Sequence, residues 1–206
     1  MRRYRIIFLL LSSLILSSCA YHKFASYKKR SDVQVSSVIK PVIPESNAVK
    51  YKASIDVLNR HFTGLIVLKQ TDPETKHLVF VTELGMRMFD FEMKGDSMKP
   101  VFVFDALNKP KLVNALVRNF EMILLVKWLN KTAEIRDKSG KEVLHLKDKE
   151  HHLFLSKNSD QYVTEQWVFN KHKKETRTIY TSNYNTIKLK QYGVVKLYIE
   201  LEKINE

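Results

Sequence analysis

Residues 194–202 read VVKLYIELE, and their side chains alternate between apolar and polar. In an extended strand Val195, Leu197, Ile199 and Leu201 take one face, and the residues between them take the other. This alternation is typical of an antiparallel sheet that buries one face and leaves the other in water. The C-terminal part of the chain therefore predicts a sheet with one solvent-exposed face.

The same pattern extends outward from this strand toward the middle of the chain. Turn-forming residues such as Thr71–Glu74, Gly95-Asp96 and Ser139-Gly140 separate the extended stretches. The further predicted strands are residues 51–58, 61–71, 77–84, 86–94, 99–105, 133–137, 142–147, 151–156, 162–170, 175–182 and 186–191. We expect a single, mainly β domain over residues 49–206.

One segment has helical rather than strand spacing. Asn108 can cap a helix, and Pro110 falls in a first turn, where its missing N–H costs nothing. Apolar residues then recur every three or four positions, at Leu112, Leu116, Phe120 and Ile123. We predict one principal helix from Asn108 to about Leu125. It should cover the concave face of a curved sheet, where its apolar stripe is buried.

The N-terminus has the parts of a secretory signal. Three arginines precede an apolar stretch from Ile6 to Leu16, and Leu16-Ser17-Ser18 leads to Cys19, the only cysteine. A membrane-spanning helix needs roughly 20 apolar residues, so the stretch is too short for one. Residues 16–19 resemble the bacterial lipobox, which implies removal of residues 1–18 and acylation of Cys19. The alternative is an ordinary secreted protein in which Cys19 has no such role.

Residues 19–48 follow as a lipidated N-terminus and a flexible tether. They are rich in Lys, Ser, Tyr and Pro, and Pro41 and Pro44 interrupt regular structure. Ala20 stands where some bacteria read an acidic residue as an inner-membrane retention signal. We therefore expect a lipid-anchored protein of the bacterial cell envelope, at the outer membrane.

The chain is strongly basic. Its 206 residues carry 35 Lys and Arg against 22 Asp and Glu, and removal of residues 1–18 takes away only three of the basic residues. A basic surface favours nucleic acid or anionic lipid. Export argues against nucleic acid, so a lipid surface is the better partner. The lysines are spread along the chain, and the alternative is that most of them belong to solvated strand faces.

No pattern indicates an enzyme, a cofactor or a metal. His145, His151 and His152 lie close together in the sequence, but adjacent residues of a strand point to opposite faces. Asp90, Glu92 and Asp96 lie in or beside a strand and its turn, where solvated carboxylates are common. The sequence also lacks H-E-x-x-H, G-x-S-x-G and P-loop patterns. We predict a non-enzymatic protein without catalytic residues.

Several strands are apolar on both faces, although a sheet with one wet face needs only one. The excess apolar side must face the helix, a second layer or a ligand. Met and Phe offer adaptable and flat surfaces for acyl chains. The candidate lining of a hydrophobic cleft comprises Phe80, Leu84, Met88, Phe89, Phe91, Phe102, Phe104, Leu116 and Phe120. The alternative is that these residues are plain core.

The sequence resembles the LolA/LolB superfamily of periplasmic lipoprotein-handling proteins, and more closely the LolB side. The resemblance rests on the lipobox, TELGMRMF at residues 82–89, the helical segment, and the closing strands 187–189 and 194–201. It implies a half-open antiparallel β-barrel with a helical lid, which encloses a cavity for acyl chains and needs no cofactor. The receptor type of the family is membrane-anchored, whereas the carrier type is soluble.

Two features depart from that family pattern. No amphipathic helix precedes the first strand, and the hairpin at residues 71–76 is polar, without a bulky apolar tip. We predict a membrane-anchored lipoprotein that binds lipid or a lipoprotein acyl chain between sheet and helix, with a periplasmic carrier protein as partner and a role in lipoprotein localisation. The alternative is a structural or protein-interaction lipoprotein with a fully packed core.

Overall fold

The fold is an antiparallel sheet with one long helix packed on it. The computed structural model describes residues 23–43, 48–193 and 195–204. The predicted signal peptide, its cleavage site and Cys19 lie outside these residues. The prediction of a mainly β chain with one principal helix is confirmed.

The described residues contain thirteen strands, a helical turn at residues 23–25, two further α-helices and two short 3₁₀ turns. The strands are β1 Lys28–Gln34, β2 Val49–Val57, β3 Arg60–Gln70, β4 Thr75–Thr82, β5 Arg87–Lys94, β6 Ser97–Val103, β7 Thr132–Lys138, β8 Lys141–Asp148, β9 His151–Lys157, β10 Val163–Asn170, β11 Lys173–Tyr180, β12 Thr186–Gln191 and β13 Leu197–Lys203. The helices are α1 Val35–Val38 and α2 Pro110–Ile123, and the 3₁₀ turns are Asp105–Leu107 and Ser182–Tyr184.

All thirteen strands belong to one open sheet. Its order is β1-β7-β8-β9-β10-β11-β12-β13-β2-β3-β4-β5-β6, so β1 and β6 are the two edges. Consecutive strands are neighbours except where β13 returns to pair with β2 and β1 pairs with β7. The sheet face that carries α2 is called the inner face below, and the opposite face is called the outer face.

The alternation at the C-terminus produces the predicted two-sided strand. Leu197, Ile199 and Leu201 are buried on the inner face of β13. On the outer face, the Lys188 ammonium of β12 lies 2.6 Å from the Glu200 carboxylate of β13. Burial of one side and solvation of the other fix the register of this strand, because a slip by one residue would exchange the two faces.

The N-terminal segment differs from the predicted flexible tether. Residues 28–34 form β1 and pair antiparallel with β7, and the following Val35 and Ile39 are buried in the main core. The strand escaped prediction because it is an edge strand: six of its seven side chains are exposed, so no apolar alternation marks it. The part of the chain that belongs to the sheet therefore begins well before the predicted domain boundary at residue 49.

Helix α2 lies close to its predicted position and is tied to the sheet at its C-terminal end. The side-chain amide of Gln166 donates to the carbonyl of Met122 (3.2 Å), and the Tyr180 hydroxyl donates to the carbonyl of Ile123 (3.1 Å). Both carbonyls belong to the last turn of the helix, where carbonyl groups have no N–H donor within the helix itself. In contrast, Lys109 at the N-cap makes no side-chain capping hydrogen bond.

Candidate functional site

The space between α2 and strands β4, β5 and β6 contains most of the residues predicted to line a cleft. Six of the nine candidates are buried there in one cluster: Phe80, Met88, Phe89, Phe91, Leu116 and Phe120. Phe104 is half-buried at the margin of the same cluster. The strands place these side chains on the inner face, and the helical stripe of α2 covers them.

The aromatic members of this cluster pack directly on one another. The rings of Phe89 and Phe91 stack with centroids 4.7 Å apart, and Phe80 lies 5.2 Å from Phe89. Phe120 of α2 closes the layer at 5.6 Å from Phe89 and 6.2 Å from Phe91. These distances are typical of aromatic pairs in contact. The cluster is thus a filled layer in this structure, and its role as a cleft lining stays a prediction.

Two candidates lie apart from that layer. Leu84 is 93 % exposed in the turn between β4 and β5, because the strand ends at Thr82. Phe102 lies on the outer face under the guanidinium of Arg87, 4.2 Å from the ring centroid. A register shift between Asp90 and Phe91 in the β5–β6 pair interrupts the alternation from which its face was inferred.

An apolar groove opens at the N-terminal end of α2. Its volume is about 530 Å³, within the range of small-molecule sites. Three segments distant in sequence line it: the β2–β3 turn, the start of α2 and the segment before β13. The lining residues are Leu58, Lys109, Pro110, Lys111, Leu112 and Val195.

Leu58 and Leu112 give the groove its apolar character. Leu58 is 47 % exposed and has a positive φ of 51°, so the β2–β3 turn turns its side chain outward. Leu112 is buried and belongs to the main core, so the floor of the groove is continuous with the layer under α2. The sequence pattern assigned Leu58 to the end of a strand, and only its position in a tight turn shows it as a groove residue.

A larger and more polar depression of about 1030 Å³ adjoins the groove and shares Leu58 with it. Residues 56–61 and 190–193 form two of its sides. Among the residues that line it, Nδ1 of His61 lies 2.6 Å from a carboxylate oxygen of Asp56. These polar groups distinguish the depression from the apolar groove beside it.

The Glu121 carboxylate and the amide nitrogen of Asn119, both buried on α2, are paired with the chain around the helix. The Glu121 carboxylate accepts from the backbone N–H of Met98 (3.2 Å) and lies 2.8 Å from the Lys127 ammonium. The Asn119 amide donates to the carbonyl of Ala115 and to the side chain of Gln191 on β12. These interactions fix the rotation of the helix, so that its apolar stripe faces the sheet.

The histidine pair of β8 and β9 lies away from the groove. Nε2 of His145 is 3.0 Å from Nδ1 of His152 on the outer face, and burial is the main cause of the lowered pKa of both. Hydrogen bonds from Arg136 and His145 outweigh the effect of burial and lower the pKa of Glu134 to about 2. Within the described ranges, no group of three or more His, Cys, Asp or Glu could hold a metal ion.

Within residues 23–43, 48–193 and 195–204, no helix is both long enough and apolar enough to cross a bilayer.

Comparison with known proteins links the chain to others through its fold. No protein-family model and no curated protein matches the sequence. Among solved structures, a LolA superfamily protein from Nitrosomonas europaea superposes with a TM-score of 0.51 at 8% identity, over 84% of this chain and 89% of that chain.

Two further solved structures match with lower scores. A DUF1329 family protein from Desulfovibrio piger has a TM-score of 0.43 at 10% identity, over 92% of each chain. A domain of a putative outer membrane lipoprotein-sorting protein from Vibrio parahaemolyticus has 0.41 at 7% identity, over 83% of this chain and 87% of that chain. The superposition on the Nitrosomonas europaea protein confirms the predicted resemblance at the level of the fold: this chain shares the fold of that LolA superfamily protein.

Proposed function

We propose that this chain is an envelope lipoprotein, anchored through an acylated Cys19, that binds a lipid or a lipoprotein acyl chain. The ligand enters at the groove between the β2–β3 turn and the start of α2. The observation that carries the proposal is the apolar groove of about 530 Å³ whose floor, Leu112, is continuous with the layer under the helix. The LolA-superfamily fold supports it.

The way α2 is held gives it the character of a lid. Gln166 and Tyr180 secure its C-terminal end, and the N-terminal end beside the groove has no side-chain cap. A ligand that enters at Pro110 therefore displaces the less restrained end first. Met88, with its flexible side chain, and the neighbouring phenylalanines can rearrange around an acyl chain.

The proposed setting is the periplasmic side of the outer membrane. A soluble periplasmic carrier would deliver the acyl chain, and the chain itself would need neither a cofactor nor a catalytic residue. Lys109 and Lys111 flank the groove and are exposed, so they can contact an anionic headgroup or an acidic surface of the carrier.

A second candidate function is a lipoprotein that binds only protein. The packed aromatic layer favours it, because that layer leaves little room for a ligand in this structure. The exposed Leu84 and the 43 % exposed Met86 in the β4–β5 turn form an apolar tip that a partner could cover.

Binding of a fluorescent fatty acid to the purified full chain distinguishes the two functions. We expect saturable binding, and Leu58→Asn should weaken it about tenfold or more, because loss of a leucine contact removes roughly 1.5–3 kcal/mol. Asparagine tolerates the positive φ at this position, so the turn should persist.

The matched control is Leu84→Asn, which replaces an exposed leucine outside the groove and should leave the affinity unchanged. Equal losses in the two variants, or no saturable binding by the unchanged chain, would contradict the proposed site. Absence of co-purifying acyl species in mass spectra would favour the protein-binding alternative.

A further inference from the structure

The outer face of the sheet holds the beginning of the described chain in an aromatic cluster. Phe24 is only 2 % exposed, and its ring stacks on that of Phe154 with centroids 4.1 Å apart. The rings of Trp167 and Phe169 meet it edge-on at 6.4 and 6.2 Å. We call Phe24, Phe154, Trp167 and Phe169 the Phe24 cluster. It is separate from the main core under α2.

The Phe24 cluster limits how far the sheet can lie from the acylated residue. Cys19 precedes Phe24 by five positions. Since a fully extended chain spans at most about 3.6 Å per residue, their Cα atoms can be no more than about 18 Å apart. A flexible tether over residues 19–48 would have allowed a much longer separation. The docked Phe24 removes most of that length and holds the outer face near the anchor.

Cationic side chains surround the Phe24 cluster. The Lys23 ammonium lies 5.0 Å from the centroid of Trp167, and the Arg177 guanidinium lies 4.8 Å from it. Both also pair with the carboxylate of Glu165, at 3.4 and 2.6 Å. One carboxylate thus serves two cations, which leaves an excess of positive charge beside the tryptophan.

Two more lysines extend this charge without a carboxylate partner in the described ranges. Lys174 lies 4.5 Å from the ring centroid of Trp167 and 3.8 Å from that of Tyr192. Lys190 lies 5.5 Å from the same Tyr192 ring. Ile179, on the same face, is 39 % exposed. Trp167 is itself buried beneath these cations, so the surface consists of their positive charges, the half-buried Tyr192 ring and Ile179, a composition that suits anionic lipid headgroups.

We propose that the outer face around Trp167 rests on the anionic phospholipid headgroups of the membrane that holds the acyl chains of Cys19. This inference rests on the proposed acylation. The short link from Cys19 brings the headgroups within reach, and Lys23, Lys174, Lys190 and Arg177 supply the complementary charge. Such attraction acts over about 10 Å at 0.1 M salt, so the four cations act together only when the face lies flat on the bilayer.

This orientation has a consequence for the ligand site. Gln166 and Trp167 are neighbours on β10 and point to opposite faces, and Gln166 binds the C-terminal end of α2. When the outer face around Trp167 lies on the membrane, α2 therefore lies on the side of the sheet that faces away from the bilayer. The helix and the groove at its start are then accessible from the aqueous compartment, where a soluble carrier would deliver an acyl chain.

The test places a single fluorophore on the acylated full-length mature protein in vesicles. Because Cys19 is acylated, Ile179→Cys supplies the only free thiol. The matched control is Lys99→Cys. Lys99 is exposed on the same face, but it lies on the edge strand β6, which is distant from β11 in the strand order. Quenching by headgroup spin-labelled lipid is compared between phosphatidylcholine vesicles with and without phosphatidylglycerol.

We expect quenching at position 179 to be several-fold stronger than at position 99 in vesicles that contain phosphatidylglycerol. The added substitutions Lys174→Gln and Lys190→Gln should abolish most of that difference. Equal quenching at both positions would overturn the inference, as would a difference that does not depend on phosphatidylglycerol. A label at position 179 that is shielded by a co-purified protein would overturn it in favour of a protein partner.

Failure of this inference can be told apart from failure of the proposed function. The mass of the mature chain reports acylation of Cys19, and fatty-acid binding reports the groove. An acylated chain that binds fatty acid but shows equal quenching rejects the orientation alone. A mature chain without acyl groups rejects the anchor and the orientation together, whereas the groove assay still stands on its own.

Discussion

Three tyrosines illustrate how burial acts on single residues. Tyr51, Tyr180 and Tyr184 lie together in the main core, and the rings of the last two meet edge-on at 5.5 Å. Burial raises the pKa of Tyr51 and of Tyr184 to about 12, and it also raises the pKa of Tyr180 well above its ordinary value. Their hydroxyls stay protonated in the folded chain, where those of Tyr180 and Tyr184 donate to carbonyls of Ile123 and Lys40.

The raised pKa values predict loss of stability at alkaline pH. The folded state keeps its tyrosine protons above pH 10, whereas the unfolded state releases them, so this stabilisation is complete below about 10 and is lost as the pH rises toward 12. Tyr51→Phe should therefore make the unfolding free energy fall less steeply between pH 10 and 12, by on the order of 2 kcal/mol across that range. Urea unfolding at several pH values measures it, and identical slopes in both proteins would contradict the assignment.

At the scale of the single element, strand β3 depends on a glycine. Gly64 pairs with Thr82 of β4, and a Cβ at this position would clash with the backbone carbonyl oxygen of Val81. The close approach of two backbones is the reason for a glycine inside a strand, where it otherwise weakens the structure.

Gly64→Val should therefore force β3 and β4 apart. We expect it to lower the unfolding free energy by at least about 2 kcal/mol, since the neighbouring backbone cannot move as a side chain can. The control is Thr63→Val, at the preceding position of β3. Its unfolding free energy should stay within about 0.5 kcal/mol of that of the unchanged protein. A wild-type melting curve for Gly64→Val would show that the strands can separate without cost.

Helix α2 depends on the hydrogen bonds at its C-terminal end. Tyr180→Phe removes the hydroxyl that lies 3.1 Å from the Ile123 carbonyl and 3.2 Å from the Gln166 side chain. The carbonyl and the amide are buried, so we expect a loss of about 1–3 kcal/mol in urea unfolding. Tyr198→Phe is the control, because its hydroxyl bonds Glu200 at the exposed outer face. Equal losses in the two variants would mean that Tyr180 does not anchor the helix.

At the scale of the whole molecule, the proposed anchor separates the protein from an ordinary secreted one. Cys19→Ser removes the single acylation site, so the body should leave the sedimented envelope fraction. Cell fractionation with mass analysis of the N-terminus measures both location and processing. A variant that still sediments with envelopes, and that is cut at the same bond, would contradict lipid anchoring.

The sequence predicted a good part of this fold and less of the site. The spacing of Leu112, Leu116 and Phe120 identified α2, and these residues are buried as expected. The apolar layer was also recognised, with six of nine candidates buried together. The groove was missed because Leu58 and Val195 have no signal of their own: each is an apolar residue at the end of a strand pattern.

By itself, the sequence determined the strands from residue 49 onward and helix α2, because side-chain periodicity reports the face that each residue must bury. Only the tertiary structure decided what lies beside what. It placed β13 against β2, brought β1 to β7, set Phe24 on Trp167, and joined Leu58, Pro110 and Val195 into one groove. These contacts join residues far apart in the chain, and their energy depends on packing in three dimensions, which no local pattern records.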